Sequence, residues 1–148
     1  MAGIMKNIHI ISRCNGLYRS QKLPDAELSS VHHPFVFAIC SNPGLSQDQL
    51  ARRLCFNKST VTRRLAYLEE HGYVTRVSHE TDKRVLQVYP TQKMLDFLPS
   101  LRATAREWRE AILEELSPDE LDTLRAVLDR IAERAKTLAG VDEMEGEE

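Results

Sequence analysis

Between Lys58 and Tyr67 the chain sets three short hydroxyls, Ser59, Thr60 and Thr62, directly ahead of two arginines, Arg63 and Arg64. At 100° per residue, a helix that turns Val61, Leu65 and Leu68 inward shows Ser59, Thr60, Arg63 and Tyr67 on its opposite face, with Arg64 at the edge. Short hydroxyls in a first turn let a backbone come close and can bond a phosphate or a base. Arginine's planar fork can take both acceptors of a guanine. Lys58 and the free N–H groups of the helix start suit a phosphate. Arg52 and Arg53, a few residues earlier, are placed to grip a nucleic-acid backbone, which positions without reading sequence. Lys83 and Arg84 form a second basic pair of the kind that enters a minor groove. Double-stranded DNA is therefore the expected partner.

Other chemistry finds less support. There is no glycine-rich phosphate loop, nucleophile elbow or H-E-x-x-H, so no enzyme and no cofactor is expected. Cys14 invites a thiol-sensor reading, but it falls on an apolar helical stripe and reads first as a core cysteine; Cys40 and Cys55 read as small apolar fillers. His32 and His33 could serve zinc, yet the remaining histidines, His9, His71 and His79, supply no H-x-x-x-H partner, so no metal is expected. With His9 and Arg13, the two histidines are instead candidates for a small-molecule effector pocket, because they fall at an expected domain junction. An apolar or aromatic anion is the class of effector those residues would suit.

The elements that would hold these side chains follow from periodicity. Ile4, Ile8, Ile11, Cys14 and Tyr18 mark an amphipathic first helix that Asn15-Gly16 either ends or weakens. A short apolar helix over Phe35 to Cys40 enters at His33-Pro34 and stops at Asn42-Pro43-Gly44. Ser46-Gln47-Asp48-Gln49 is a capping box opening a third helix, with Leu50 and Leu54 inward. Asn57 is the N-cap of a fourth that runs through Glu70 and closes at His71-Gly72. Two helices joined by so short a turn make a helix-turn-helix. The period then falls to two over Tyr73–Val77 and Val85–Tyr89, a hairpin with the polar tip Ser78 to Arg84. A long helix follows, with Leu95, Leu98, Leu101, Ala105, Trp108 and Ile112 as its stripe and Pro99 as a kink point. Ser117-Pro118-Asp119-Glu120 starts a last helix, in which Leu121, Leu124, Leu128, Ile131, Ala135 and Leu138 recur at threes and fours as a seam.

The fold class expected is mainly α with a small β-hairpin wing. A winged helix-turn-helix would be flanked by N- and C-terminal helices that need covering by a second chain. At 148 residues, with 42% hydrophobic and 28% charged residues, the chain suits one compact domain and excludes collagen-like, disordered or disulfide-scaffold classes. Its longest apolar runs are too short for a membrane span. The start from Met1 to Ile8 has no signal-peptide core, so a cytoplasmic protein with reduced cysteines is expected. Net charge is −2, but its distribution is uneven. Residues 49–68 carry Arg52, Arg53, Lys58, Arg63 and Arg64 and no acid, whereas 142–148 carry Asp142, Glu143, Glu145, Glu147 and Glu148 and no base. That asymmetry fits one segment that meets phosphate and another that does not.

The run Leu50-Ala51-Arg52-Arg53-Leu54-Cys55-Phe56-Asn57-Lys58-Ser59-Thr60-Val61-Thr62-Arg63, with Leu68 to Val74, Asp82-Lys83-Arg84, Pro90-Thr91 and Leu116 to Leu121, resembles the MarR family of bacterial winged-helix regulators. The resemblance covers nearly the whole chain. It implies a homodimer whose first helix and last two helices interleave with the partner's, each wing domain binding half of an imperfect palindrome, usually to repress nearby genes. It implies base contacts by Arg63, a minor-groove contact by Arg84, and a structural Asp82 that braces an arginine. The organisation it implies is a single domain over 1–148. Dimerisation helices would occupy about 1–28 and 92–140, the winged helix-turn-helix 29–91, and an acidic tail 141–148. The rival is a winged-helix protein-interaction module without DNA, or a thiol- or metal-sensing variant of the regulator.

Overall fold

The computed structural model describes residues 2–23 and 27–141, which leaves the acidic run 142–148 outside the described residues. Six helices and three strands follow in the order α1 (Ala2–Lys22), α2 (His33–Ser41), β1 (Leu45–Ser46), α3 (Gln47–Leu54), α4 (Lys58–Glu70), β2 (Val74–Ser78), β3 (Leu86–Pro90), α5 (Gln92–Leu113) and α6 (Pro118–Ala139).

Local chemistry accounts for most of the boundaries. Ser46 caps α3 and Ser117 caps α6 with complete capping boxes, reciprocated by Gln49 and Glu120. Asn57 caps α4 by accepting the Thr60 N–H at 2.8 Å. Gly72, at φ +79°, lets the chain leave α4 and start β2. α1 runs through Asn15-Gly16 to Lys22 without a break. A Cβ on Gly16 would meet the Ser30 side chain at 3.3 Å, so this glycine serves a close approach. α5 likewise continues through Pro99.

The sheet has one strand more than the periodicity indicated. β1 pairs antiparallel with β3, Leu45 opposite Val88, and β3 pairs with β2, giving the order β1-β3-β2. Gly44 feeds this edge through its N–H to the Val88 carbonyl at 2.8 Å. Two residues are too few to show an alternating pattern, so β1 exists only through its pairing.

The core is shared by the winged-helix body and the first half of α5, so the flanking region expected from residue 92 onward is not separate from it. Phe35 and Ile39 of α2, Leu50 of α3, Val61, Leu65 and Leu68 of α4, Val88 of β3 and Met94 and Leu101 of α5 are buried together. Each such side chain stabilises the body by about 1.5–3 kcal/mol relative to exposure. α6 contributes no buried residue at all. Its Leu124, Val127, Leu128, Ile131 and Leu138 are exposed in the single chain, as are Ile4, Met5, Ile10, Ile11 and Leu17 of α1. Cys14 is exposed on α1, a correction to its expected place in a core: of its stripe, Tyr18 packs against Trp108 of α5 at 5.3 Å, while Ile4, Ile11 and Cys14 are left exposed by the described residues. Cys55 is exposed too, because it forms the left-handed turn between α3 and α4 at φ 56° rather than filling space.

Candidate nucleic-acid interface

The turn from α3 to α4 sets where the basic face points. Cys55 reverses the chain, and the Phe56 N–H bonds the Ala51 carbonyl at 3.0 Å. The Phe56 ring stacks on buried Phe35 at 5.7 Å. Asn57 then accepts two protons, from the Thr60 N–H and from the Ser59 hydroxyl, each at 2.8 Å. Thr62 donates its hydroxyl to the Lys58 carbonyl at 2.9 Å. Both hydroxyl protons are thus engaged within α4, and each oxygen keeps lone pairs, so Ser59 and Thr62 face outward as acceptors.

Lys58, Ser59, Thr62 and Arg63 are exposed; Thr60 and Arg64 are half-buried. Lys58 meets Asp48 of α3 at 3.4 Å, with both side chains largely in solvent. Such a pair is worth less than about 1 kcal/mol and gives way easily to a phosphate. Arg52 and Arg53 are exposed on α3. With the Asn42 amide oxygen turned toward it, Arg53 donates from both terminal nitrogens at 3.2 and 3.3 Å.

Tyr67 does not join this face, contrary to its place on the helical wheel. Its hydroxyl donates to the Glu27 carbonyl at 2.8 Å, and its ring stacks with His32 at 4.7 Å and with His71 at 4.0 Å. The segment before α2 folds over the Tyr67 side of α4, which takes this residue out of the open face while Ser59, Thr62 and Arg63 stay exposed. A wheel marks the side opposite the core and cannot show a loop lying on it.

The wing is ordered by its own side chains. The His79 Nδ1 accepts from the Thr81 N–H at 3.2 Å, and the His79 N–H closes onto the Val85 carbonyl at 2.8 Å. Asp82 accepts from the Arg84 N–H at 3.1 Å and from its Nε at 3.2 Å. These bonds from Arg84 hold the Asp82 carboxyl below its ordinary range. The Arg84 side chain nevertheless stays 92% exposed, so Asp82 aims it without covering it. Lys83 is exposed beside it.

A further arginine, not singled out by sequence, ties wing to helix. Arg76 of β2 meets Glu69 of α4 through Nη2 at 3.0 Å and Nε at 3.3 Å, and reaches Gln47 at the start of α3 through Nη1 at 3.1 Å. The paired guanidinium holds the Glu69 carboxyl low. Seven residues separate the two across a helix end and a turn, a spacing that no local rule flags.

The four candidate effector residues divide. His32 and His33 are buried, the latter tilted against Phe97 at 5.8 Å, whereas His9 and Arg13 are exposed along α1. Among the described residues no three His, Cys, Asp or Glu side chains gather as a metal site requires, and no helix is long and apolar enough to cross a membrane.

An exposed, hydroxyl-led basic helix beside an arginine-tipped hairpin defines a winged helix-turn-helix protein. Residues 26–85, the winged-helix body of this chain, match the MarR family. The chain is 26% identical over 131 residues to an uncharacterised HTH-type transcriptional regulator, YybA, of Bacillus subtilis strain 168, covering 88% of this chain and 87% of that protein. In fold it is similar to a MarR transcriptional regulator from Methanosarcina mazei Go1, at a TM-score of 0.84 and 25% identity, over 93% of this chain and 99% of the other. It is also similar to a MarR family regulator from Listeria monocytogenes solved with a 26mer DNA, at a TM-score of 0.86 and 20% identity, over 92% of this chain and 91% of the other.

Proposed function

We propose that the protein is a homodimeric, sequence-specific DNA-binding transcriptional regulator of the cytoplasm, a repressor relieved by a small-molecule effector. The observation that carries the proposal is the alignment of exposed Lys58, Ser59, Thr62 and Arg63 on the open face of α4 with a wing that holds Arg84 outward on Asp82. A protein-interaction module gives no reason to brace an arginine at a hairpin tip. The DNA complex of the Listeria relative, which shares the fold, supports double-stranded DNA as the partner.

Dimerisation is supported by the exposed apolar residues of α1 and α6, which nothing among the described residues covers. Monomers rarely leave so large an apolar surface to water. A dimer carries two recognition helices related by a two-fold axis, which calls for an imperfect palindrome. Relief by an apolar or aromatic anion is proposed at the junction of α1 with the winged-helix body, near exposed His9 and Arg13. Buried His32 can take part only if the segment before α2 moves, and His33 lies inside α2 against Phe97. Linkage demands that an effector which weakens DNA binding be weakened by DNA to the same factor.

Selection from a random duplex pool tests the proposal. Enrichment of an inverted repeat is expected, with half-sites one helical turn apart, about 10 base pairs. Recovery of no preferred sequence would overturn sequence-specific binding, and recovery of single half-sites would overturn the dimer.

A further inference from the structure

His32 lies buried beneath α4, with its ring nearly parallel to Tyr67, 10° between planes. Its Nδ1 accepts the Ser29 N–H at 3.2 Å and faces the Ser29 hydroxyl at 3.3 Å. An amide N–H only donates, so this nitrogen bears no proton and the ring is neutral, protonated at Nε2. Tyr67 reaches past His32 to the Glu27 carbonyl. The Glu27 carboxylate in turn holds the Tyr73 hydroxyl at 2.9 Å and the Lys93 ammonium at 2.7 Å. The segment 27–32 is thereby latched onto the second half of α4, the same helix whose first half carries Ser59, Thr62 and Arg63.

We propose that His32 is a positioning residue for DNA contact, fixing the orientation of α4 through Tyr67 only while its ring is neutral. This rests on the DNA-binding function proposed above. A second proton has only Nδ1 to occupy, where it meets the Ser29 N–H head-on; the hydroxyl can turn to accept, but the amide cannot. The new charge would also face Arg64 and His71 on and after α4, with His33 beside it on α2 and the Glu27–Lys93 pair beyond Tyr67. Burial first, then Arg64 and His71, hold the His32 pKa below the ordinary histidine value. A lowered value means the neutral, latched form is favoured fully above the ordinary range near pH 6.5 and is lost as pH falls below it.

His71 is held differently: its Nδ1 lies 2.8 Å from the Tyr67 carbonyl, a bond that needs an N–H rather than a free lone pair. His79 in the wing is the other histidine whose Nδ1 accepts a backbone N–H, and it serves as the control.

The sign of the effect makes the test sharp. Charging histidines on a DNA-binding protein ordinarily strengthens phosphate binding. Opening the latch weakens it. Operator affinity of the full chain should be measured at constant salt at about pH 7.5 and about pH 5.5, either side of the ordinary histidine range. The wild-type protein is expected to lose affinity on acidification by about fivefold or more, the low end of coupling between sites. His32→Gln, a neutral acceptor at both values, is expected to stay level or bind more tightly. His79→Asn is expected to keep the wild-type loss. In parallel, the His32 ring resonance should titrate together with loss of Ser29 amide protection, a readout that needs no DNA. Absence of DNA binding at every pH would refute the proposed function and leave the latch to that resonance. A loss that survives in His32→Gln, or that disappears in His79→Asn, would overturn the proposal. So would a Ser29 amide that stays protected through the titration of His32.

Discussion

Arg63 and Arg84 are both exposed, yet their surroundings give them different work. Arg63 stands exposed on α4, nearly two turns past the Asn57 cap. Arg84 has its Nε held by Asp82 and projects from a hairpin tip. On the proposed function, Arg63→Ala should cost about 1–3 kcal/mol per half-site and relax preference at one position. Arg84→Ala should weaken specific and non-specific duplexes more evenly, since a minor groove shows mainly its width and an A·T-versus-G·C pattern. The ratio of specific to non-specific affinity for each variant checks this. A ratio kept by Arg63→Ala and collapsed by Arg84→Ala would reverse the two roles. Both arginines were legible from helical spacing and from the hairpin pattern. Tyr67 was misread as part of the same face, because what covers it comes from a segment 40 residues away.

The elements owe their start points to side chains visible in sequence: Ser46, Asn57 and Ser117 each cap the helix expected of them. Replacing Asn57 by alanine should destabilise the protein by about 0.5–2 kcal/mol, read as a shift in urea midpoint. It should also free the Ser59 hydroxyl, whose proton Asn57 now takes. Not legible was how the elements are fastened together. β1 is defined by its partner β3, and the Arg76–Glu69–Gln47 clamp joins three elements through side chains that share no local register. The clamp has a pH signature. Because Arg76 lowers the Glu69 pKa, its contribution is complete above the ordinary glutamate range near pH 4.5 and fades as pH falls through the lowered value. Glu69→Gln should reduce stability at neutral pH by about 1 kcal/mol after solvent screening, and by less in acid. Urea midpoints at several pH values check this; a variant deficit that grew in acid would contradict the clamp.

For the whole molecule, the contrast between a winged-helix body cored together with the first half of α5 and an α6 that buries no residue is the dominant feature. The seam of α6 was readable from its threes and fours, and the structure leaves Leu124, Leu128, Ile131 and Leu138 exposed together. Leu128→Glu should abolish dimers and duplex binding together while the body stays folded, because a buried charge in an apolar seam is strongly unfavourable. Sedimentation showing an intact variant dimer would refute the seam. Charge is distributed to match: the base-only stretch 49–68 lies on the body, at the face proposed for DNA. Salt dependence of duplex binding tests that central claim most directly. A dimer drawing on Arg52, Arg53, Lys58, Arg63, Lys83 and Arg84 of each half, and neutralising about 6–10 phosphates with some of them, should lose roughly 10³–10⁵ in affinity between about 50 and 200 mM salt. Binding that is absent, or that hardly changes over that range, would contradict it.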